Sequence, residues 1–197
     1  MPEYRKEWMA KAKIDYFAPF VNLWLSCNAW YMDHYPELKP TDRAHIDHVK
    51  GDLGARNYIF KKFGDLVESS AREGEIFRSN LEQFHFALEH ASLVSDKIGA
   101  ISFTQAVCDY NQPDNKENLI CRPKITKNGN LFKREENKVI KLDTVFVTRD
   151  VPKLFSGLFE IIYQVRNCLI HGKMQPEENE YQVVKYGYLL LYDMMAF

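Results

Sequence analysis

Asp150-Val-Pro-Lys-Leu-Phe-Ser-Gly-Leu-Phe-Glu-Ile-Ile-Tyr-Gln-Val-Arg166-Asn167-Cys168-Leu169-Ile170-His171-Gly172 is the stretch on which the fold turns. Val151, Leu154, Phe155, Leu158, Phe159, Ile162, Val165 and Leu169 recur at helical spacing and predict a long helix with a wide apolar stripe. Asp150 is placed to cap its start, and Pro152 falls in the first turn, where no N–H is needed. Gly172 follows the last apolar residue, where a helix commonly ends in a left-handed conformation.

Downstream, a polar loop from Lys173 to Glu180 leads to a last helix ending in Tyr188-Leu-Leu-Leu-Tyr-Asp-Met-Met-Ala-Phe197. That tail is apolar almost all round and too short to span a membrane, so it belongs inside a bundle or against a partner subunit. Upstream, apolar density falls between about Asp109 and Val147. Asn128-Gly129 signals a tight turn there, and Leu119–Ile125 and Val139–Val147 read as strands of a small hairpin or ribbon. Three helical stretches come first. Glu3 to about Tyr35, rich in aromatics from Trp8 to Trp30, reads as one helix or two joined near Pro19. Asp42 to Glu68 is interrupted around Gly51–Gly54, and Glu75 to Ile98 stops at Gly99. The expected architecture is an all-α bundle forming one domain over residues 1–197, with a β-hairpin or ribbon inserted at about 109–148 between the third and fourth main helices.

Bulk properties narrow the function. Hydrophobic residues are 46% of the 197 and aromatics 14%, enough for a substantial core. A net charge of -1 means that a nucleic-acid role needs a local basic patch. Cys27, Cys108, Cys121 and Cys168 are widely spaced with no CxxC pair, against a zinc ribbon or a disulfide scaffold. Cys27 and Cys168 read as small core residues. Met1 to Lys13 is too polar for a signal peptide, and Asp15, Pro19, Asn22 and Asn28 mark Ile14–Met32 as a kinked core helix rather than a span. A cytoplasmic protein with no membrane contact is expected.

Arg166 and His171 are five residues apart, about 140° around an ideal helix. The Gly172 stop leaves His171 in the frayed last turn, free to swing toward Arg166. Such a pair suits phosphodiester chemistry. A guanidinium neutralises charge developing on phosphorus, and an imidazole takes or gives a proton near neutral pH. Asn167 adds a neutral donor and acceptor. The plainer reading pairs Arg166 with a carboxylate such as Glu160 or Glu178 and leaves His171 to the helix dipole.

Arg166-Asn167-Cys168-Leu169-Ile170-His171-Gly172 resembles the R-N-x-x-x-H(-G) signature of HEPN domains, helical bundles that often act as RNases. The resemblance extends to plan, with a long apolar helix entering the motif and a second one following. It implies a metal-independent endoribonuclease, a hydrolase without cofactor, in which the RNA 2′-hydroxyl attacks the adjacent phosphodiester. The products are a 2′,3′-cyclic phosphate and a 5′-hydroxyl. Carried over by position, Arg166 stabilises the phosphate, His171 transfers protons and Asn167 orients one of them. The resemblance also implies a homodimer with two motifs facing across a cleft, and a toxin or phage-defence role under a neutralising antitoxin protein. A catalytically inactive HEPN module that binds RNA, a nucleotide or a partner protein is the alternative. Some antitoxin-linked members carry a Tyr two residues beyond the motif His, and this chain has Lys173 there.

Other clusters weigh less. His45 and His48 share a helix face, and Glu82 with His85 forms one Glu-x-x-His unit, whereas a di-iron bundle needs two such units and further carboxylates. These read as solvated or hydrogen-bonded surface residues, and no metal is expected. Asn28, polar within an apolar helix, is expected to tie helices together. Between Cys121 and Lys141 the insertion carries seven basic residues against two acidic, net +5. Lys124, Lys127, Lys133 and Arg134 there, with Lys173 beside the motif, are the candidate RNA contacts, and Phe132 is a candidate stacking platform; an ordinary solvated hairpin is the equal alternative for the insertion.

Overall fold

The structure is a computed structural model that describes residues 14–128, 130–175 and 177–197. The expected helical start at Glu3 with Trp8, the Met1–Lys13 stretch and Gly129 of the Asn128-Gly129 turn lie outside the described residues. Helix α1 covers Phe17–His34 and buries Phe20, Trp24, Cys27 and Tyr31 along one stripe. Pro19 stands in its first turn, where the missing N–H breaks no helical bond, so Phe17–His34 continues without a break there. Helix α2, Asp42–Gly51, is capped by Thr41, whose hydroxyl accepts from the Ala44 N–H at 3.3 Å. Helix α3, Tyr58–Glu68, is capped by Asn57. The Asn57 amide also donates to the carbonyls of Val49 and Asp52, both at 2.8 Å, which fixes the interruption at Gly51–Gly54.

Helix α4 runs Arg72–Ala91 and ends sooner than Ile98. Ser92 takes a left-handed conformation, φ 51°, and strands β1 (Val94–Ser95) and β2 (Gly99–Ala100) pair as a hairpin. The helical spacing misleads here because Leu93 continues the apolar pattern and is buried, although it has already left the helix. A 3₁₀ turn at Phe103–Gln105 follows. Beyond it come strand β3 (Ile120–Cys121), the short helix α5 (Lys133–Glu136), β4 (Val139–Lys141) and β5 (Phe146–Thr148). The three strands form an antiparallel sheet in the order β3-β5-β4.

Val139–Val147 is therefore a hairpin rather than one strand. The chain folds back where the Leu142 N–H donates to the Val145 carbonyl at 3.0 Å. Glu82 of α4, buried, takes the Thr144 N–H, the Thr144 hydroxyl and the Val145 N–H at 2.7, 2.8 and 2.9 Å. That carboxylate pins the turn to the bundle. Helix α6, Val151–Ile170, is capped by Asp150 and buries twelve residues. Helix α7, Glu178–Met195, packs chiefly on α4 and α1. Gly187 lets the Phe84 and Phe20 rings within 3.5 and 3.6 Å of where a Cβ would sit. The apolar tail is thus mostly inside the bundle, with Tyr192 and Phe197 left exposed. The molecule is predominantly helical with small antiparallel sheets, and no described helix is long and apolar enough to cross a membrane.

Gly74 marks a close approach between the end of α3 and the start of α4. A Cβ there would lie 2.5 Å from the Ser69 carbonyl oxygen and 2.8 Å from that of Leu66. Alanine improves intrinsic helicity by about 1 kcal/mol, but backbone atoms cannot step aside as a side chain can. Gly74→Ala is expected to lower stability by about 1–3 kcal/mol net. A urea midpoint that rises instead, with unchanged slope, contradicts this packing.

Candidate active site

Helix α6 ends in two capping bonds. The Gly172 N–H donates to the Leu169 carbonyl at 3.2 Å and the Lys173 N–H to the Cys168 carbonyl at 2.8 Å, with Gly172 at φ +67°. This is a Schellman turn, and its left-handed position 172 favours glycine, which adopts that conformation without strain. His171 is the C-cap residue and is exposed, its own N–H bonded to the Asn167 carbonyl at 3.0 Å.

Arg166 lies one turn earlier and half-buried. Its Nη2 is 3.1 Å from Asp42 Oδ2, its Nη1 donates to Asn167 Oδ1 at 2.9 Å, and its guanidinium sits 5.6 Å from the Trp24 ring. Nε is buried without a partner among the described residues. The carboxylate that meets Arg166 is thus Asp42, the first residue of α2, and neither Glu160 nor Glu178. Asp42 Oδ1 in turn accepts from Asn28 Nδ2 at 2.7 Å and from the Tyr31 hydroxyl at 3.0 Å. Burial first, and then the Asp42 charge, push the Tyr31 phenol far above its ordinary range, so it serves as a neutral donor. Asn28 ties α1 to α2, as its sequence context predicts, and does so through the carboxylate that holds Arg166.

His171, Asn167 and Lys173 come together around a cleft of about 180 Å³ that Lys97, Tyr110 and Gln164 also line. Arg166 is not among the lining residues, since it turns toward Asp42 and Trp24. Asn167 is the link, touching Arg166 with its side-chain oxygen while lining the cleft beside His171. Lys124, Lys127, Lys133 and Arg134 are exposed, and none of them lines the cleft. Their segment leads through β4 and β5 into the start of α6, whereas His171 is at its end, about 30 Å along the helix axis. Phe132 is exposed, with the Arg134 guanidinium 5.7 Å from its ring centroid.

Beneath the cleft lies a polar network that sequence reading missed. Glu160 is wholly buried and takes both Arg43 Nη atoms at 2.9 Å, Lys50 Nζ at 2.5 Å and Gln164 Nε2 at 2.7 Å. Asp47 also pairs with Arg43. Burial pushes the Glu160 carboxyl up, but the Arg43 hydrogen bonds and the Lys50 and Arg43 charges outweigh it and hold it below the usual range. Gln164 Oε1 accepts from the Ser95 hydroxyl at 2.9 Å, which carries the network into the β1–β2 hairpin. The available signal was Glu160 and Gln164 themselves, two polar residues one turn apart on an apolar helix.

The remaining clusters are occupied with packing. His45 is buried between the Thr41 and Tyr35 carbonyls, at 3.0 and 3.2 Å from its ring nitrogens. His48 packs against the Tyr35 ring. Glu82 and His85 are buried rather than on the surface. Among the described residues, no group of three His, Cys, Asp or Glu side chains is placed to hold a metal ion. All four cysteines are free thiols, Cys27 and Cys168 in the core as expected, and burial pushes each thiol up, away from the reactive thiolate. No protein-family model, curated protein or solved structure matches this chain.

Proposed function

We propose that the chain is a HEPN-type, metal-independent endoribonuclease whose site is built on Arg166, Asn167 and His171. The observation that carries the reading is the Arg166-Asn167-x-x-x-His171-Gly172 string at the capped end of the long buried helix, with Asn167 joining Arg166 to the cleft that His171 lines. In this reading the helical arrangement is HEPN-like. Arg166 stabilises charge developing on the phosphate, and His171 takes the 2′-hydroxyl proton or protonates the leaving 5′-oxygen. Two protomers face each other, so that one cleft draws on both motifs. The physiological role is a cytoplasmic toxin or phage-defence effector restrained by a neutralising antitoxin protein.

One observation favours a second reading, a catalytically inactive HEPN module that binds RNA, a nucleotide or a partner protein. Asp42 already engages the Arg166 guanidinium, which reduces the charge that Arg166 can offer a phosphate. Incubation of the purified protein with RNA in EDTA separates the two. Cleavage by the parent chain that disappears in an Arg166→Ala/His171→Ala variant supports the nuclease. Intact RNA, or equal cleavage by the variant, sinks it.

A further inference from the structure

The nuclease reading leaves open where the RNA strand is gripped, and Lys124, Lys127, Lys133 and Arg134 stand outside the cleft lining. The β1–β2 hairpin does not. Its loop residue Lys97 lines the cleft, and its ammonium lies 4.0 Å from the centroid of the Tyr110 ring. The Arg43 guanidinium lies 4.1 Å from the same centroid. Arg43 is itself fixed in both directions on buried Glu160, Glu160 on Gln164, and Gln164 on the Ser95 hydroxyl of β1. On the far side of the loop, Lys116 donates to the Ile98 carbonyl. A closed ring of contacts therefore holds Lys97 over the cleft, where a lone surface lysine would be free to wander.

Two further donors converge there. Lys173 is paired with Asp96, whose side chain is 88% exposed, and a solvent-screened rim pair of that kind contributes little, so a phosphate can displace it. Asn167 has its oxygen taken by Arg166, which leaves the Nδ2 amide as the group it can donate. The cleft volume of about 180 Å³ falls below the roughly 300 Å³ at which whole small-molecule pockets begin. It suits one phosphate group of a ligand that continues past both sides.

We propose that Lys97, Lys173 and Asn167 form a phosphate-binding subsite beside His171 that seats one phosphodiester of a single-stranded RNA, with Tyr110 and the Glu160 network as its positioning support. The subsite rests on the nuclease reading for the identity of the ligand, but binding is measured apart from cleavage. The experiment uses the full chain carrying His171→Ala and a fluorescent single-stranded RNA of about 12 nucleotides, titrated by anisotropy at several salt concentrations. Lys97→Glu is expected to weaken binding about tenfold or more at low salt and to make the salt dependence shallower by about one unit of slope. Lys97→Met keeps the aliphatic stem on the Tyr110 ring and is expected to lose the same unit of slope, while Lys97→Arg restores binding. Lys61→Glu, on the exposed face of α3, leaves binding unchanged. The subsite is overturned if the chain does not bind the RNA, or if Lys97→Glu and Lys97→Met bind as the parent does. It is also overturned if binding is lost only on charge reversal of Lys124, Lys127 and Lys133. Tight, Lys97-dependent binding with no cleavage by the wild-type chain leaves the subsite standing and removes the nuclease.

Discussion

Glu160→Ala is expected to destabilise the fold by about 3–5 kcal/mol, the range for removing one member of a buried ion pair. The carboxylate is wholly buried, and its loss leaves Arg43 without its bidentate acceptor and Lys50, whose side chain is 4% exposed, without its main counter-charge. The effect comes mainly from the cations left behind, because desolvating a charge costs more than a typical pair returns. A triple replacement of Glu160, Arg43 and Lys50 by methionine is therefore expected to be far less harmful than Glu160→Ala alone. Equal losses in a urea titration contradict the assignment.

The same carboxylate sets a pH dependence. Its folded-state pKa lies below the ordinary value of about 4.3, so it contributes stability that is complete above that value and is lost as pH falls through the folded one. The parent chain is expected to lose stability progressively below about pH 4. Glu160→Gln, already weakened at neutral pH, loses less over the same interval. Parallel curves for the two chains argue that other carboxylates govern acid unfolding.

The second large effect concerns the motif itself. Arg166→Ala is expected to lower the RNA cleavage rate about 10²–10³-fold, as removal of one donor from a developing oxyanion does. His171→Ala is expected to lower it about 10²–10⁴-fold. The two differ in what else they disturb. His171 is exposed at the helix end, so its replacement is expected to leave the unfolding midpoint within about 0.5 kcal/mol of the parent. Arg166→Ala removes a partner from Asp42 and packing from Trp24, and is expected to reduce stability by about 1–3 kcal/mol. A His171→Ala chain that is folded and fully active excludes the imidazole from the chemistry.

Legibility in the sequence followed the range of the interactions. Helix α6 was readable from end to end because its signals are local: Asp150 and Pro152 at the start, an apolar stripe within, and Gly172 at a position that requires positive φ. The end of α4 is not legible locally, because Leu93 is apolar for the core and nothing nearby shows that Ser92 breaks the helix. Val139–Val147 looks like one strand in sequence, since the turn of the β4–β5 hairpin is held by Glu82, a carboxylate far away in the chain. The same limit applies at the site. The motif residues were visible by spacing, but Asp42 as the holder of Arg166, and Lys97 and Tyr110 as neighbours of His171, depend on how α2 and the β1–β2 hairpin fold onto α6. The candidate RNA contacts in the insertion followed from charge density alone, which carries no information about distance from a cleft.

The end chemistry of the RNA products tests the central claim most directly. An oligonucleotide incubated with the wild-type chain in EDTA is predicted to yield fragments with a 2′,3′-cyclic phosphate on one side of the cut and a 5′-hydroxyl on the other. A single 2′-deoxy substitution at the cut site is predicted to abolish that cut. Fragments bearing 5′-phosphate and 3′-hydroxyl ends, cleavage indifferent to the 2′-deoxy substitution, or RNA that stays intact would contradict a nuclease built on Arg166 and His171.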